Sequence, residues 1–410
     1  MTNLSPNISQ ATADLNLRGM FQSVNFIRRI RNRGNTMPHI IDPEFIKARF
    51  PTLSEMTYLN NASTGIPPQR CGEAMQSYLD DRMHAVGDFE ETLATFTRIT
   101  ENLAKLLGGS KEQYGFVGST SMGLNSIGHA IQYPRGSNIV ICDIEFPSNY
   151  IPWQNVSRLL GVELRVMKTT QGAAPAKEFE KLVDENTRVV AVSHVQFGTG
   201  YRSDLAELSR IAHQNGAILV ADIIQSAGWA DIDLEKWDVD FAAAQAAKWL
   251  LGPIGAGFVY VSKRIMDQLS PRFMGWWGVK DIANFSYFER EPLPDARMFQ
   301  IGSPAMVAYV GFLASLDVLL EMDGKKREGA AMENADHLRS RLDELGVPCY
   351  DFGDSHNSAI VSCEPEGVEA LQKELAKNDI HCSVRNKRLR VSPHLYNTTQ
   401  EIDRLVEHLR

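Results

Sequence analysis

From Tyr114 to Ser262 the chain switches repeatedly between short apolar runs and stretches with apolar residues at helical spacing. No other feature limits the possible folds as strongly. The apolar runs read YGFV, SNIVIC, VELRVMK, RVVAVSHV, AILVAD, VDFAAA and GFVYVS. Between them lie segments such as SDLAELSRIAHQNG, helical in pattern and ending in glycine. Nearly continuous apolar strands separated by helices predict a mostly parallel sheet buried on both faces, an α/β fold. A short Gly/Pro loop precedes the last run, which gives that strand room to enter antiparallel. Beyond about residue 305 the order changes. A long apolar helix (AMVAYVGFLASLDVLLEMD) and a charged one (KKREGAAMENADHLRSRLDEL) precede short strands, SAIVSCE, IHCSV and RLRVSP. These strands alternate with GVEALQKELAKN and TQEIDRLVEHL, the pattern of a smaller α+β domain.

A chain of 410 residues is expected to hold two domains. Its net charge of −8 offers no basic excess for nucleic acid, so none is expected as a partner. No run approaches the roughly 18 apolar residues of a membrane span. The five cysteines, Cys71, Cys142, Cys349, Cys363 and Cys382, are odd in number and lack metal-ligand spacing. Free thiols, no metal site and a reducing, cytoplasmic compartment are the expectation. Cys142 and Cys363 read as packed strand residues. The first 36 residues are basic, with Arg18, Arg28, Arg29, Arg31 and Arg33. They are compatible with a targeting segment or a surface helix, and equally with a flexible extension or a start called too early, Met37 being the real one.

Ligands of an open α/β sheet bind beyond the carboxyl ends of its strands. AILVADIIQSAG ends its strand in Asp222, with Gln225 three residues on. A helix N-cap is the simplest role for such an aspartate. FAAAQAAKWLLGPIGAG, however, delivers Lys248 at the end of another buried strand, where an unpaired ammonium is costly. A carboxylate that keeps a pyridine nitrogen protonated and a lysine that forms an imine are the two parts pyridoxal phosphate needs. FVGSTSMGLNSIGHA supplies a third: a strand, a turn with Ser119, Thr120 and Ser121, then a helix start suited to a phosphate dianion.

With these motifs in this order, the chain resembles the class V aminotransferase superfamily of fold type I pyridoxal-phosphate enzymes. That superfamily includes cysteine desulfurases, isopenicillin N epimerase-like proteins, cystine lyases and kynureninases. The resemblance runs from about Tyr58 to the C-terminus. TYLNNASTGIPP resembles the opening strand and turn and brings Asn61 to the substrate. EFPSNYIPW places the ring-stacking position on Phe146, and VSHVQFGTGYRSDL sets Ser193, His194 and Gln196 near the ring. FQIGSPAM nominates Gly302 and Ser303 as the segment that reaches a neighbouring subunit's phosphate, which implies a homodimer. LRVSPHLYNTTQEIDRLVEHL places the arginine for the substrate carboxylate on Arg390, with His394 and Arg385 as further substrate contacts. The resemblance implies a large cofactor domain with a seven-stranded sheet over 58–304. A small domain follows over 305–410, and a segment over 37–57 packs on it.

Departures from the family pattern narrow the chemistry. Desulfurases stack a histidine where this chain has Phe146, and phenylalanine moves no proton. They also carry a nucleophilic cysteine on a flexible loop; here that loop is shortened and Cys382 reads as a strand residue. Gln245 and Ala247 replace residues that bind phosphate in relatives. Gln245 still donates, and GWWGV compensates through Trp276 or Trp277, unless that segment is a surface loop packed with aromatics. RLRVSP puts Arg388 and Arg390 on one strand face, where an arginine fork suits a carboxylate. The reading is an enzyme acting on a free α-amino acid through an external aldimine and a Cα carbanion. β-Elimination of the C–S lyase type comes first, then epimerisation, then transamination. A kynureninase-like hydrolase, a desulfurase and a silent binding module rank lower.

Overall fold

The apolar runs between residues 114 and 262 become the strands of one seven-stranded sheet, shown by a computed structural model that describes residues 41–84, 89–286 and 290–409. A short β1 (Thr57–Tyr58) comes first. The sheet then holds β2 (Tyr114–Val117), β3 (Asn138–Cys142), β4 (Glu163–Met167), β5 (Thr187–Ser193), β6 (Ile218–Asp222), β7 (Phe241–Gln245) and β8 (Gly257–Val261). Their order is β2-β8-β7-β6-β5-β3-β4. All pairs from β4 to β7 are parallel, and β8 runs antiparallel to both β7 and β2. The expected mostly parallel α/β sheet is present, reversed only at the strand that follows the Gly/Pro loop.

Alternate residues of these strands feed two cores, as the two-residue period of a strand requires. Ile139, Ile141, Val189, Ala191, Val220 and Val259 face one side with Leu124, Ile127, Trp153 and Val156 from the Thr120–Ala130 and Pro147–Leu160 helices. Val140, Val190, Val192, Leu219 and Phe258 face the other with Ile99, Leu103, Phe312 and Leu316 from the Phe89–Leu107 and Met306–Leu320 helices. Each fully buried Val, Leu, Ile or Phe side chain contributes about 1.5–3 kcal/mol. β4 departs from the expectation of burial on both faces. It is one of the two edge strands, only Met167 of its residues is buried, and Arg165 pairs with Glu163 and Asp184 at the surface.

The C-terminal part adds β9 (Val361–Cys363), β10 (Ile380–His381), β11 (Ser383–Arg385) and β12 (Arg388–Val391). β11, β12 and β9 form an antiparallel sheet, while β10 pairs in parallel with β1. A third core joins Leu59 to Leu338, Leu342, Val361, Leu389, Ile402 and Leu405. IHCSV, expected as one strand, is broken at Cys382, where the chain leaves the partner strand β1 for the partner strand β12. The β11–β12 turn consists of Asn386 and Lys387, both at positive φ (50° and 60°). Positive φ at both central residues defines a tight hairpin turn whose twist matches its strands. Among the described residues, no helix is long and apolar enough to cross a membrane and no side-chain cluster could hold a metal ion. The basic segment 1–36 lies outside the described residues.

Candidate active site

Five segments leave the sheet at the same edge. Ser193, Asp222 and Gln245 are the last residues of β5, β6 and β7, and Glu145 and Phe146 follow β3. Ser119 follows β2, whose Val117 lies opposite Gly257, as does Gln245. A Cβ on Gly257 would lie 3.2 Å from the Ser119 nitrogen, so the end of β7 sits beside the Ser119–Ser121 turn.

Lys248 is placed by its backbone. Gly65 donates to the Ala247 carbonyl (3.0 Å), Leu251 to the Lys248 carbonyl (3.0 Å) and Gly252 to the Ala246 carbonyl (2.9 Å). A Cβ on Gly65 would sit 2.0 Å from the Lys248 carbonyl oxygen, and one on Gly228 (φ +116°) 2.1 Å from that of Trp249. Glycine at both positions lets three chain segments meet at the lysine. Nζ lies 5.6 Å from the Phe146 ring centroid. Burial pulls the ammonium towards the neutral amine; Asp222 opposes this, while Arg390 and Arg385 reinforce it. For the Asp222 carboxyl, burial raises proton affinity, and the Glu145 charge adds to this. The Ile224 N–H at 3.0 Å and the Lys248 charge counter it.

The turn before the Thr120–Ala130 helix is built for an anion. Ser119 accepts from the Met122 N–H (3.2 Å), and Ser121 Oγ donates to Ser148 Oγ (2.8 Å), which ties two helix N-termini together. Thr120 Oγ1 is buried without a partner among the described residues. A buried hydroxyl left unbonded at the positive end of a helix suits a phosphate oxygen.

Arg390, whose charge acts on Lys248, is buried and donates to the Phe197 carbonyl (2.9 Å) and Ser63 Oγ (2.6 Å). Arg385 reaches the same hydroxyl at 3.3 Å. Phe197 in turn meets Phe146 edge-on at 5.0 Å. Arg388, expected on the same strand face, is held elsewhere by Glu364 and lies 3.9 Å over the Tyr350 ring.

Other expected site residues are tied into the protein. Gln225 donates to the Ala62 carbonyl (3.0 Å) and accepts from Trp249 Nε1 (2.8 Å), leaving one amide hydrogen for a ligand. Asn61 donates to the Ser392 carbonyl (2.9 Å) and accepts from the Tyr396 hydroxyl. His394 accepts from the Leu395 N–H at Nδ1 and so donates through Nε2 to the Trp249 carbonyl (2.8 Å). Burial lowers its pKa to about 4, which keeps it neutral. His194 packs edge-on against Trp237, its pKa lowered by burial to about 3. Trp276 donates to the Ile282 carbonyl (2.6 Å) at the surface; Trp277 is buried beside Phe96 with its indole N–H unpartnered. Gly302 and Ser303 are exposed, and no hydrogen bond among the described residues ties them to Lys248 or its neighbours.

Two residues of this site escaped sequence reasoning. Ser63 joins the two arginines. Glu145 accepts from the Ser193 N–H (2.8 Å), Ser193 Oγ, Gln196 Nε2 (2.7 Å), Asn149 Nδ2 (3.0 Å) and Cys142 Sγ (3.4 Å). The only signal for Glu145 was its place directly before Phe146.

A mostly parallel sheet with lysine, aspartate and an anion turn at one edge is the architecture of fold type I pyridoxal-phosphate enzymes. Residues 57–405 match the family described as Aminotransferase class-V, and the chain belongs to that family. It is 29% identical over 394 residues to a "Probable cysteine desulfurase" of Methanothermobacter thermautotrophicus, covering 89% of this chain and 97% of that one. A cysteine desulfurase from Thermococcus onnurineus NA1 superposes with a TM-score of 0.81 at 24% identity, covering 90% of this chain and 98% of that one. The cystine C–S lyase C-DES, solved with its product cysteine persulfide, gives 0.80 at 22% identity, covering 88% and 99%. A mutant of C-DES carries glycine covalently linked to the pyridoxal-phosphate cofactor. These structural likenesses establish the fold. The chain is a pyridoxal-phosphate-dependent enzyme. Its own residues fit that cofactor: an unbonded buried hydroxyl at a helix start, a buried carboxylate, a lysine pushed towards its neutral form and an aromatic face.

Proposed function

We propose that the enzyme carries out β-elimination on a free α-amino acid with a sulfur leaving group at Cβ. The overall change converts the amino acid and water into a thiol, pyruvate and ammonia. Bound pyridoxal phosphate supplies the electron sink that allows the bond from Cα to hydrogen to break. Ser119, Thr120, Ser121 and Gln245 would hold its phosphate, with the unpartnered indole N–H of Trp277 as a candidate further donor. Asp222 would meet its ring nitrogen, Gln225, Ser193 and Gln196 would border the ring, and Phe146 would stack against it and keep water away. Lys248 anchors the cofactor and, as a neutral amine, takes the proton from Cα. Arg390, oriented by Ser63 and the Phe197 carbonyl, holds the substrate carboxylate, with Arg385 beside it.

The state of the cysteines carries this reading over sulfur transfer through an enzyme persulfide. All five lie among the described residues and none is exposed. Cys382 is buried, its thiol pushed by burial to about 12, so little thiolate is present at neutral pH. The β11–β12 hairpin beside Arg390 closes in two residues, leaving no loop to carry a nucleophile. Purified protein given L-cysteine, L-cystine and S-alkyl cysteines should release pyruvate and ammonia in equal amounts, and Cys382→Ser should do the same. Alanine with a persulfide on Cys382 would restore the desulfurase reading. D-isomers would indicate an epimerase, and amino-group exchange with a keto acid a transaminase.

A further inference from the structure

The environment of Glu145 points beyond scaffolding. Its carboxylate is buried, and every contact it makes is one in which it accepts: Ser193 N–H, Gln196 Nε2 and Cys142 Sγ at one oxygen, Asn149 Nδ2 and Ser193 Oγ at the other. An acceptor-only pattern is that of the ionised group. None of these partners is a cation. Ser193 is the register partner of Asp222 across β5 and β6, so a second buried carboxylate stands one strand away from the first. The charged groups facing the pair are Lys248 from the turn after β7, and behind it Arg390 of β12 and Arg385 of β11. Lys248 is itself pushed towards neutrality. Two buried carboxylates thus face one weakened positive charge, a balance that favours a proton or a further positive charge at this spot.

We propose that Glu145 is an electrostatic positioning residue, a fixed negative charge that works with Asp222 to keep the bound cofactor in its protonated, cationic state. It touches neither substrate nor the reacting atoms; it acts through Asp222 and through the Ser193–Gln196 segment it fixes. The influence of Glu145 on the proton affinity of Asp222 agrees with this placement. The role is independent of whether the reaction is elimination, epimerisation or transamination.

Glu145→Gln keeps the shape and removes the charge, whereas Glu145→Asp keeps the charge. In cofactor-free protein, the Asp222 carboxyl band, identified by infrared difference against Asp222→Asn, should titrate roughly one pH unit lower in Glu145→Gln. In protein loaded with pyridoxal phosphate, the absorbance band near about 420 nm should lose its protonated form roughly one pH unit lower in the same variant. Glu145→Asp should stay near the wild-type midpoint. Wild-type midpoints in Glu145→Gln, with only a lower Tm, would reduce the residue to scaffolding and overturn the proposal. Should that variant fail to fold, Glu145→Ala, which removes the same charge without placing an amide N–H against the Gln196 and Asn149 donors, should give the same acid shift; an unmoved midpoint there overturns it equally. A protein that took up no pyridoxal phosphate would show no band at all, which is a failure of the cofactor assignment and leaves the cofactor-free titration to decide on Glu145.

Discussion

Lys248 owes its proposed reactivity to its surroundings. Only the neutral amine attacks an aldehyde, and an ordinary lysine reaches half-neutralisation near pH ~10.4. Burial shifts this one downwards. Covalent capture of pyridoxal phosphate by cofactor-free protein, fixed with borohydride and read by mass, should therefore rise with pH through a midpoint well below that of a solvent-exposed lysine. Lys248→Ala should abolish capture while the protein stays folded. Arg390→Lys keeps the charge but loses the fork that spans Ser63 and the Phe197 carbonyl. Losing one charge-assisted bond costs about 1.5–3 kcal/mol, or roughly a ten- to hundredfold fall in kcat/KM. Arg388→Lys should change little because Arg388 is engaged with Glu364. Equal effects in the two variants would remove Arg390 from the site. Lys248, Asp222 and Arg390 could be nominated from the sequence because each lies in, or three residues after, a short strand with a recognisable pattern. Glu145 and Ser63 could not, since their partners Ser193 and Arg390 lie 48 and 327 positions away.

At the scale of elements, periodicity revealed the strands because six of the seven are buried enough for their apolar runs to stand out, and β4 shows through its alternating Leu164 and Val166. The edge place of β4 went unread: strand order follows from pairing, although Glu163 and Arg165 alternate with Leu164 and Val166 in VELRVMK, the pattern of a strand exposed on one face. The break at Cys382 was equally hidden, since both halves of IHCSV are good strand formers and only the partner changes. The turn at Lys248 shows how elements hold the site. Gly65 has an ordinary backbone conformation, yet an added methyl would collide with the Lys248 carbonyl at 2.0 Å and Leu251 Cδ2 at 2.9 Å. Gly65→Ala should cost about 1–3 kcal/mol, seen as a lower Tm, and slow capture of pyridoxal phosphate because the lysine turn is displaced. Gly72→Ala is the control. Nothing lies within 4 Å of its added Cβ on the Gln69–His84 helix, and alanine there should stabilise by about 0.5–1 kcal/mol. A Gly65→Ala protein with unchanged Tm and capture rate would show that the close approach is not what seats Lys248.

For the whole molecule, the open question is whether one chain makes a complete site. Thr120 Oγ1 has no partner among the described residues, while Gly302 and Ser303 stand exposed on the surface. Family resemblance assigns that exposed segment to a neighbour's phosphate, which requires a homodimer with two shared sites. Bulk at Gly302 tests this cleanly: nothing lies within 4 Å of an added Cβ there, so Gly302→Trp should leave its own subunit folded. If the segment works on the partner, Gly302→Trp spoils the neighbour's site while its own Lys248 stays intact. Lys248→Ala has the opposite defect, a dead site of its own and a sound segment to lend. Each variant alone should be nearly inactive. Mixed and re-equilibrated in equal amounts, they should recover about a quarter of wild-type activity, since half the dimers are mixed and one of their two sites is whole. Sedimentation would verify the dimer, and differential labels would verify subunit exchange. Exchange without recovery of activity would mean that each subunit binds the phosphate with its own residues alone.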